Sequence, residues 1–177
     1  MAFLDAQSRT VLFDPPDVYE EALARYALSA EDIAFAKAHR RSHNRLGFAI
    51  QLSLVRDLGR PLRAGEVPPQ AVVSVVADQL GIDPAVYALY AQREETRREH
   101  TREIVAALDL QPVRASDYRS LITAAAREAA ATEKGEPITK AVIETLKNRK
   151  LLVPVPELLI RLAMAGRRRR DDRLITA

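Results

Sequence analysis

Nitrogen-rich side chains crowd one short stretch of the chain, in which five of six consecutive positions are Arg40, Arg41, His43, Asn44 and Arg45. A guanidinium group donates paired hydrogen bonds to phosphate oxygens or to a guanine edge, and a side-chain amide can bind adenine through two atoms. The expected chemistry is therefore the binding of DNA. Asn44 and Arg45 would read base edges, while Arg40, Arg41 and His43 would hold phosphates.

The residues after this cluster predict a helix with apolar side chains on two sides. At about 100° per residue they form two opposite stripes, namely Leu46, Ile50 and Leu54, and Phe48, Leu52 and Val55. A helix that is apolar all round belongs in a protein interior. Residues 40–56 thus predict a buried helix whose cationic first turn reaches the surface, as in the recognition helices of helix-turn-helix proteins.

Gly47 interrupts this otherwise strong helix. Glycine inside a helix costs about 1 kcal/mol relative to alanine. The cost indicates that another backbone or DNA approaches closely at Gly47, and packing of a second helix is the favoured interpretation.

Two shorter helices precede the central one. The first begins near Asp17, after a pair of prolines, and Ser29 with Asp32 forms a capping box that opens the second. A short break leads into the central helix, which Gly59 ends. Three helices with a tight joint before the third match the helix-turn-helix outline.

Alanine fills 29 of the 177 positions and glycine only 6, which favours helix throughout. The stretch GRPLRAGEVPPQ is rich in proline and glycine and is interpreted as a linker. We therefore expect an all-α, multi-helix array containing at least one helix-turn-helix-like three-helix lobe. Its expected parts are a loosely structured lead-in (1–16), the helix-turn-helix-like lobe (17–58), the linker (59–70), a second helical DNA-binding lobe (71–170) and a tail (171–177).

Charge is segregated along the chain, although the net charge is only +3. Residues 35–63 and 134–177 each carry a net charge of +6, whereas residues 1–34 carry −5 and residues 64–133 carry −4. Two cationic blocks predict a polyanion that is met at two places, and solvated helix faces are the alternative.

The second block supplies further candidates for contacts with the DNA backbone. A run of arginines near the end of the chain has another interpretation, as a helix end favoured by the helix dipole. The candidate residues are Lys147, Arg149, Lys150, Arg167, Arg168, Arg169 and Arg170.

Sequence motifs of common enzymes are absent, including GxxxxGK[ST], GxGxxG, HExxH and GxSxG. The lack of cysteine excludes disulfides and thiolate metal sites. His39 and His43 flank the expected joint and are interpreted as polar or phosphate-facing residues. We therefore expect no catalytic residue, no metal and no other cofactor in this chain. The absence of a secretion signal and of a long apolar run predicts a cytoplasmic protein without a membrane partner.

Three segments resemble signatures in the N-terminal region of Tn3-family transposases, the large replicative transposases of bacteria. They are HNRLGFAIQLSLVRDLGR, LGIDPAVYALYAQREETRREHTREI and, more weakly, LLVPVPELLIRLAMAGRRR. The likeness extends from about Leu4 to Arg170, with the first two motifs long and in the expected order.

The resemblance implies a helical DNA-binding region that recognises the terminal inverted repeats of a transposon. Strand cleavage in that family belongs to an acidic, metal-binding domain that nothing in this sequence resembles. By resemblance, the chain is a separated or truncated N-terminal piece that binds DNA without cutting it. Its expected partners are double-stranded DNA at transposon ends and the remainder of the transposase.

A helical protein-interaction module is the alternative function. Such a domain would form a homodimer or regulate a full-length transposase by pairing with it. The acidic first segment and the mixed-charge stretch from Arg93 to Glu103 favour this interpretation.

Overall fold

The fold is all-α, as predicted. The computed structural model describes residues 2–63 and 65–175, with side chains as far as residue 171. The chain divides into two compact units. Residues 15–109 form one, which we name the inserted unit, and the segments up to residue 14 and from residue 110 onward form the other, which we name the split unit.

The inserted unit is built around one buried helix. Every residue from Leu46 to Val55 is buried, and five other helices of the unit pack on this central helix. The predicted interior helix is therefore confirmed. The helices of the unit are α2 (Tyr19–Tyr26), α3 (Ala30–Lys37), the central α4 (Ser42–Leu58), α5 (Gln70–Leu80), α6 (Tyr87–Ala91) and α7 (Glu94–Ala107).

Local signals set several helix ends as the sequence predicts. The Ser29 hydroxyl accepts a hydrogen bond from the Asp32 N–H at 3.1 Å, and the Asp32 carboxylate accepts one from the Ser29 N–H at 3.0 Å. Gly59 and Gly81 end α4 and α5 with φ of 72° and 64°. Glycine adopts this left-handed conformation without the steric cost that a side chain would add.

The proline- and glycine-rich stretch 59–70 lies within the inserted unit, so the structure divides the chain elsewhere than at the predicted linker. Arg60 is buried, and its guanidinium binds both carboxylate oxygens of Glu66 at 2.7 and 2.9 Å. The Arg63 N–H donates to the same carboxylate at 2.8 Å. This buried ion pair fixes the stretch as a loop of one compact unit.

The split unit joins an N-terminal helix to three helices from the other end of the chain. The expectation of a loosely structured lead-in is wrong, because Asp5 caps a helix by accepting from the Ser8 N–H at 2.7 Å. Leu4 and Phe13 are buried in the core of the split unit. The helices of this unit are α1 (Ala6–Phe13), α8 (Tyr118–Ala129), α9 (Gly135–Asn148) and α10 (Pro156–Ile175).

The packing of α8 against α10 depends on small residues. A Cβ atom placed on Gly166 would lie 2.4 Å from the Ala125 Cβ and 2.8 Å from the Ala126 nitrogen. The two backbones can approach this closely only because glycine lacks that atom. The sequence predicted that the last helix ends within the arginine run at Arg170. Helix α10 instead continues through that run to Ile175.

Among the described helices, none is by itself long and apolar enough to cross a membrane. One pair, Gln70–Leu80 with Pro84–Ala91, meets the length and composition together but is bent by 116° at the break.

Candidate nucleic-acid interface

The cationic tip of α4 follows a tight turn after α3. Arg41 has a φ of 69°, a left-handed conformation that costs a non-glycine residue about 1–3 kcal/mol. The turn is held from within, because Arg45 donates its Nε–H to the His39 carbonyl oxygen at 2.8 Å. One predicted DNA contact therefore also has a structural role.

Arg40 and Arg41 are exposed at this tip, and His43 is half-buried beside them. Burial, together with the positive charges of Arg93 and Arg41, lowers the pKa of His43. Arg93 is the residue directly before α7. It was not predicted as a site residue, because its position in the sequence does not indicate that its charge acts on His43. At neutral pH the charge of the tip therefore resides on arginines, while His43 is neutral.

Two polar atoms at the tip are enclosed without a hydrogen-bond partner among the described residues, namely His43 Nε2 and Asn44 Oδ1. A buried polar atom without a partner costs about 1–3 kcal/mol. Because Asn44 Oδ1 is covered, Asn44 does not present both atoms of its amide to solvent in this conformation. Two-atom recognition of adenine by Asn44 stays a prediction that requires its side chain to turn outward.

Packed rings of His39, Phe48 and His100 lie next to the tip of α4. The His39 ring lies 4.1 Å from the Phe48 ring and 4.5 Å from the His100 ring, measured between centroids. His100 Nδ1 is 3.0 Å from the Tyr90 hydroxyl oxygen, and burial, with a smaller effect from His39, lowers the pKa of His100 to about 4. In the described part of the chain, no three potential metal-ligating side chains come together.

The second cationic block lies in the split unit. Lys147, Arg149 and Lys150 are exposed where α9 ends. The Arg149 guanidinium is fixed by the Asp117 carboxylate at 2.7 Å and by the Ser120 hydroxyl oxygen at 2.5 Å. Arg149 thus joins the beginning of α8 to the end of α9.

The arginine run on α10 points in several directions, so its members do not form one continuous stripe. Arg167 lies over the Phe3 ring, with its guanidinium carbon 5.8 Å from the ring centroid, and Arg168 is exposed. Arg169 donates to the Thr123 hydroxyl oxygen at 3.3 Å. Arg170 approaches the carboxylates of Asp171 at 3.0 Å and of Glu133 at 3.6 Å.

A groove of about 600 Å³ runs beside α8 and the end of α9. Two of its lining arginines, Arg119 and Arg127, were not predicted as site residues. Their spacing of eight residues places them on one helix face, a signal that the sequence contained but that also suits any solvated helix.

Comparison with known proteins identifies the family. The family described as a domain of unknown function (DUF4158) matches residues 3–166. The transposase of transposon Tn501 from Pseudomonas aeruginosa is 32% identical over 170 residues, which are 93% of this chain and 17% of that transposase. The transposase of Tn3926 from Escherichia coli is 30% identical over 99% of this chain and 18% of its own length.

A third relative, the transposase of transposon gamma-delta from Escherichia coli strain K12, is 44% identical over 90 residues, which are 50% of this chain and 9% of the transposase. The chain spans less than a fifth of the length of these three transposases. The predicted resemblance to Tn3-family transposases is confirmed. Because the family match covers nearly all of the chain, this protein belongs to the DUF4158 family.

Proposed function

We propose that this chain binds double-stranded DNA at the terminal inverted repeats of a transposon, as a non-catalytic part of a Tn3-type transposase. The observation that carries the proposal is the cationic tip of α4, where Arg40 and Arg41 are exposed and the charges of Arg41 and the exposed Arg93 act on His43. The relatives supply the class of reaction, since each is a transposase.

The burial of α4 restricts how this tip would meet DNA. The middle of the helix is enclosed on all sides, so only its first turn is available to a groove. Arg40, Arg41 and Arg93 would hold phosphates on either side of that turn. Arg45 keeps the guanidinium donors other than Nε for a base edge, because a guanidinium has five N–H groups in total.

The remainder of the transposase is the proposed partner that cuts and joins strands. Under this proposal, the chain itself needs no catalytic residue or cofactor, because it supplies affinity and orientation. Its location would be the bacterial cytoplasm, where the DNA is.

The test is fluorescence anisotropy with two labelled duplexes, one carrying the terminal inverted repeat of the source element and one a scrambled version. We expect the repeat to bind more tightly by about 4 kcal/mol or more, the lower range for specific recognition. The double variant Arg40→Ala/Arg93→Ala should weaken binding to both duplexes. Lys140→Ala/Arg161→Ala removes the same charge from exposed positions of the split unit and serves as the matched control.

Equal binding of the two duplexes would refute recognition of the repeat by this chain. Equal losses in the two double variants would refute the role of the α4 tip. The base-reading assignment is tested separately, since Asn44→Ala should reduce the preference for the repeat more than it reduces binding to the scrambled duplex.

A protein-interaction module is the second candidate, favoured by apolar side chains exposed on α2. Tyr19 and Leu23 lie one turn apart and are 40% and 44% exposed. Such a face suits a homodimer or a contact with the full-length transposase. Size-exclusion chromatography with light scattering would show a dimer that Leu23→Glu disrupts, whereas a monomer at all concentrations would rule out the homodimer.

A further inference from the structure

The groove beside α8 is lined by regularly spaced cationic side chains, and none of them belongs to the α4 tip. Arg119, Thr123 and Arg127 repeat every four residues along one face of α8. Thr145 on α9 and Arg149, the residue directly after α9, line the groove as well and are also four residues apart. The lining therefore comes from two helices that pack on each other within one unit.

Hydroxyl oxygens on α8 hold two arginines in place, one that lines the groove and one on α10. Ser120 Oγ accepts a hydrogen bond from Arg149 Nη1 at 2.5 Å, and Thr123 Oγ1 accepts one from Arg169 Nη1 at 3.3 Å. Both hydroxyls give their own protons to helix carbonyls at 2.8 Å. The Arg149 guanidinium is thereby oriented through both of its terminal nitrogens, since Nη2 donates to Asp117, whereas the Arg169 guanidinium is oriented through one. A guanidinium has five N–H groups, so each keeps donors for a ligand.

The charges of the groove are not balanced from within. Asp117 is the carboxylate paired with Arg149. Within the described part of the chain, neither Arg119 nor Arg127 forms an ion pair. Three arginines, Arg119, Arg127 and Arg149, thus line the groove beside a single paired carboxylate. A row of guanidinium groups with spare donors matches phosphate oxygens better than any neutral ligand.

We propose that this groove is a second DNA site, which binds phosphodiester groups of the duplex backbone. Arg119 and Arg127, about 12 Å apart along α8 at 1.5 Å per residue, would each hold one phosphate, and Arg149 lines the same groove. The proposal rests on the proposed function in taking DNA as the ligand. It goes further in assigning a separate role to the groove, which adds affinity without reading sequence.

The experiment measures the salt dependence of binding for the full chain and for Arg119→Ala/Arg127→Ala, on the repeat and on the scrambled duplex. Loss of two phosphate contacts should lower the slope of log K against log salt concentration by about 1.8. Affinity should fall by roughly tenfold or more at 0.1 M salt, equally on both duplexes. Lys140→Ala/Arg161→Ala is the matched control, because it removes two exposed positive charges outside the groove.

Arg119→Lys/Arg127→Lys supplies a second comparison, since lysine keeps the charge and should restore most of the salt slope. A slope like that of the control would overturn the groove assignment while leaving DNA binding by the α4 tip intact. A loss confined to the repeat would also overturn it, because the groove would then read sequence. If the parent chain bound neither duplex, the proposed function and the groove would both be refuted.

Discussion

At the scale of single residues, Gly47 lies directly against the ring of Tyr90. A Cβ atom built on Gly47 would lie 2.1 Å from Tyr90 Cδ1. The ring is fully buried, and its hydroxyl is tied to His100 and Gln51, so it has no room to move aside. The glycine that weakens α4 locally therefore makes space for the ring.

Gly47→Ala should destabilise the inserted unit by about 1–3 kcal/mol, the usual cost of overpacking a core. Helix propensity alone predicts the opposite, a gain of about 1 kcal/mol. Urea unfolding followed by circular dichroism distinguishes the two. In a Tyr90→Ala background the same substitution should become stabilising, and destabilisation in both backgrounds would show that Tyr90 is not the cause.

The sequence predicted a close approach at Gly47, with packing of a second helix as the favoured cause. The structure confirms this, because Tyr90 belongs to α6, which packs on α4, and its ring makes the close contact. The partner could not be identified in advance, because Tyr90 lies more than forty positions along the chain. Arg93 escaped prediction for the same reason, since its charge acts on His43 only after folding. Local sequence can indicate that a residue has a close neighbour, but it does not identify a neighbour that is distant in the chain.

At the scale of elements, the contact between His39 and His100 joins the end of α3 to α7 against α4. His100 is buried, with Phe48 beside it at 5.3 Å between ring centroids, and Glu103 Oε1 lies 3.6 Å from His39 Nε2. Protonating His100 would place a charge in this buried layer, beside a second imidazole.

The free energy of unfolding should therefore fall as the pH is lowered from about 6.5 to about 4. Over this range His100 binds a proton in the unfolded chain but resists it in the folded one, whose pKa is about 4. The full loss is on the order of 3 kcal/mol. Chemical denaturation at several pH values would measure it, and His100→Gln should flatten the curve. An unchanged curve in that variant would assign the pH dependence to other groups.

Elements whose signals lie within a few residues were predictable. The capping box at Ser29 and the glycine ends of α4 and α5 are examples. The stretch 59–70 was wrongly predicted to be a linker. Its prolines and glycines indicate a loop, but they do not indicate that Arg60 and Glu66 form an ion pair within that loop. The cationic residues of the candidate site could be identified from the sequence. Which of them make contacts within the protein, and which are available to a ligand, depends on tertiary structure and could not be predicted.

At the scale of the whole molecule, the chain leaves one unit, builds another and returns. The core of the split unit contains Leu4 and Phe13 together with residues from Leu121 onward. Sequence periodicity could not reveal this arrangement, because α1 is only eight residues long and its partners lie at the other end of the chain.

Phe13→Ala should destabilise the split unit by about 3–5 kcal/mol, the typical cost of removing a buried phenylalanine side chain. Hydrogen exchange followed by mass spectrometry should show faster exchange in α8, α9 and α10, with α4 unchanged. Val11→Ala, at an exposed position of the same helix, is the control and should alter little. Unchanged exchange in α9 after Phe13→Ala would contradict the place of α1 in this core.

The division of the chain also orders its folding during synthesis. Helix α1 is made before the inserted unit, yet α9, against which it packs, follows only after residues 15–109. At 5–20 residues per second, those residues take roughly 5–20 s to translate. The inserted unit can finish folding in that interval, while Leu4 and Phe13 stay exposed to solvent or chaperones. Helix α1 thus acquires its core only when the rest of its unit has been translated.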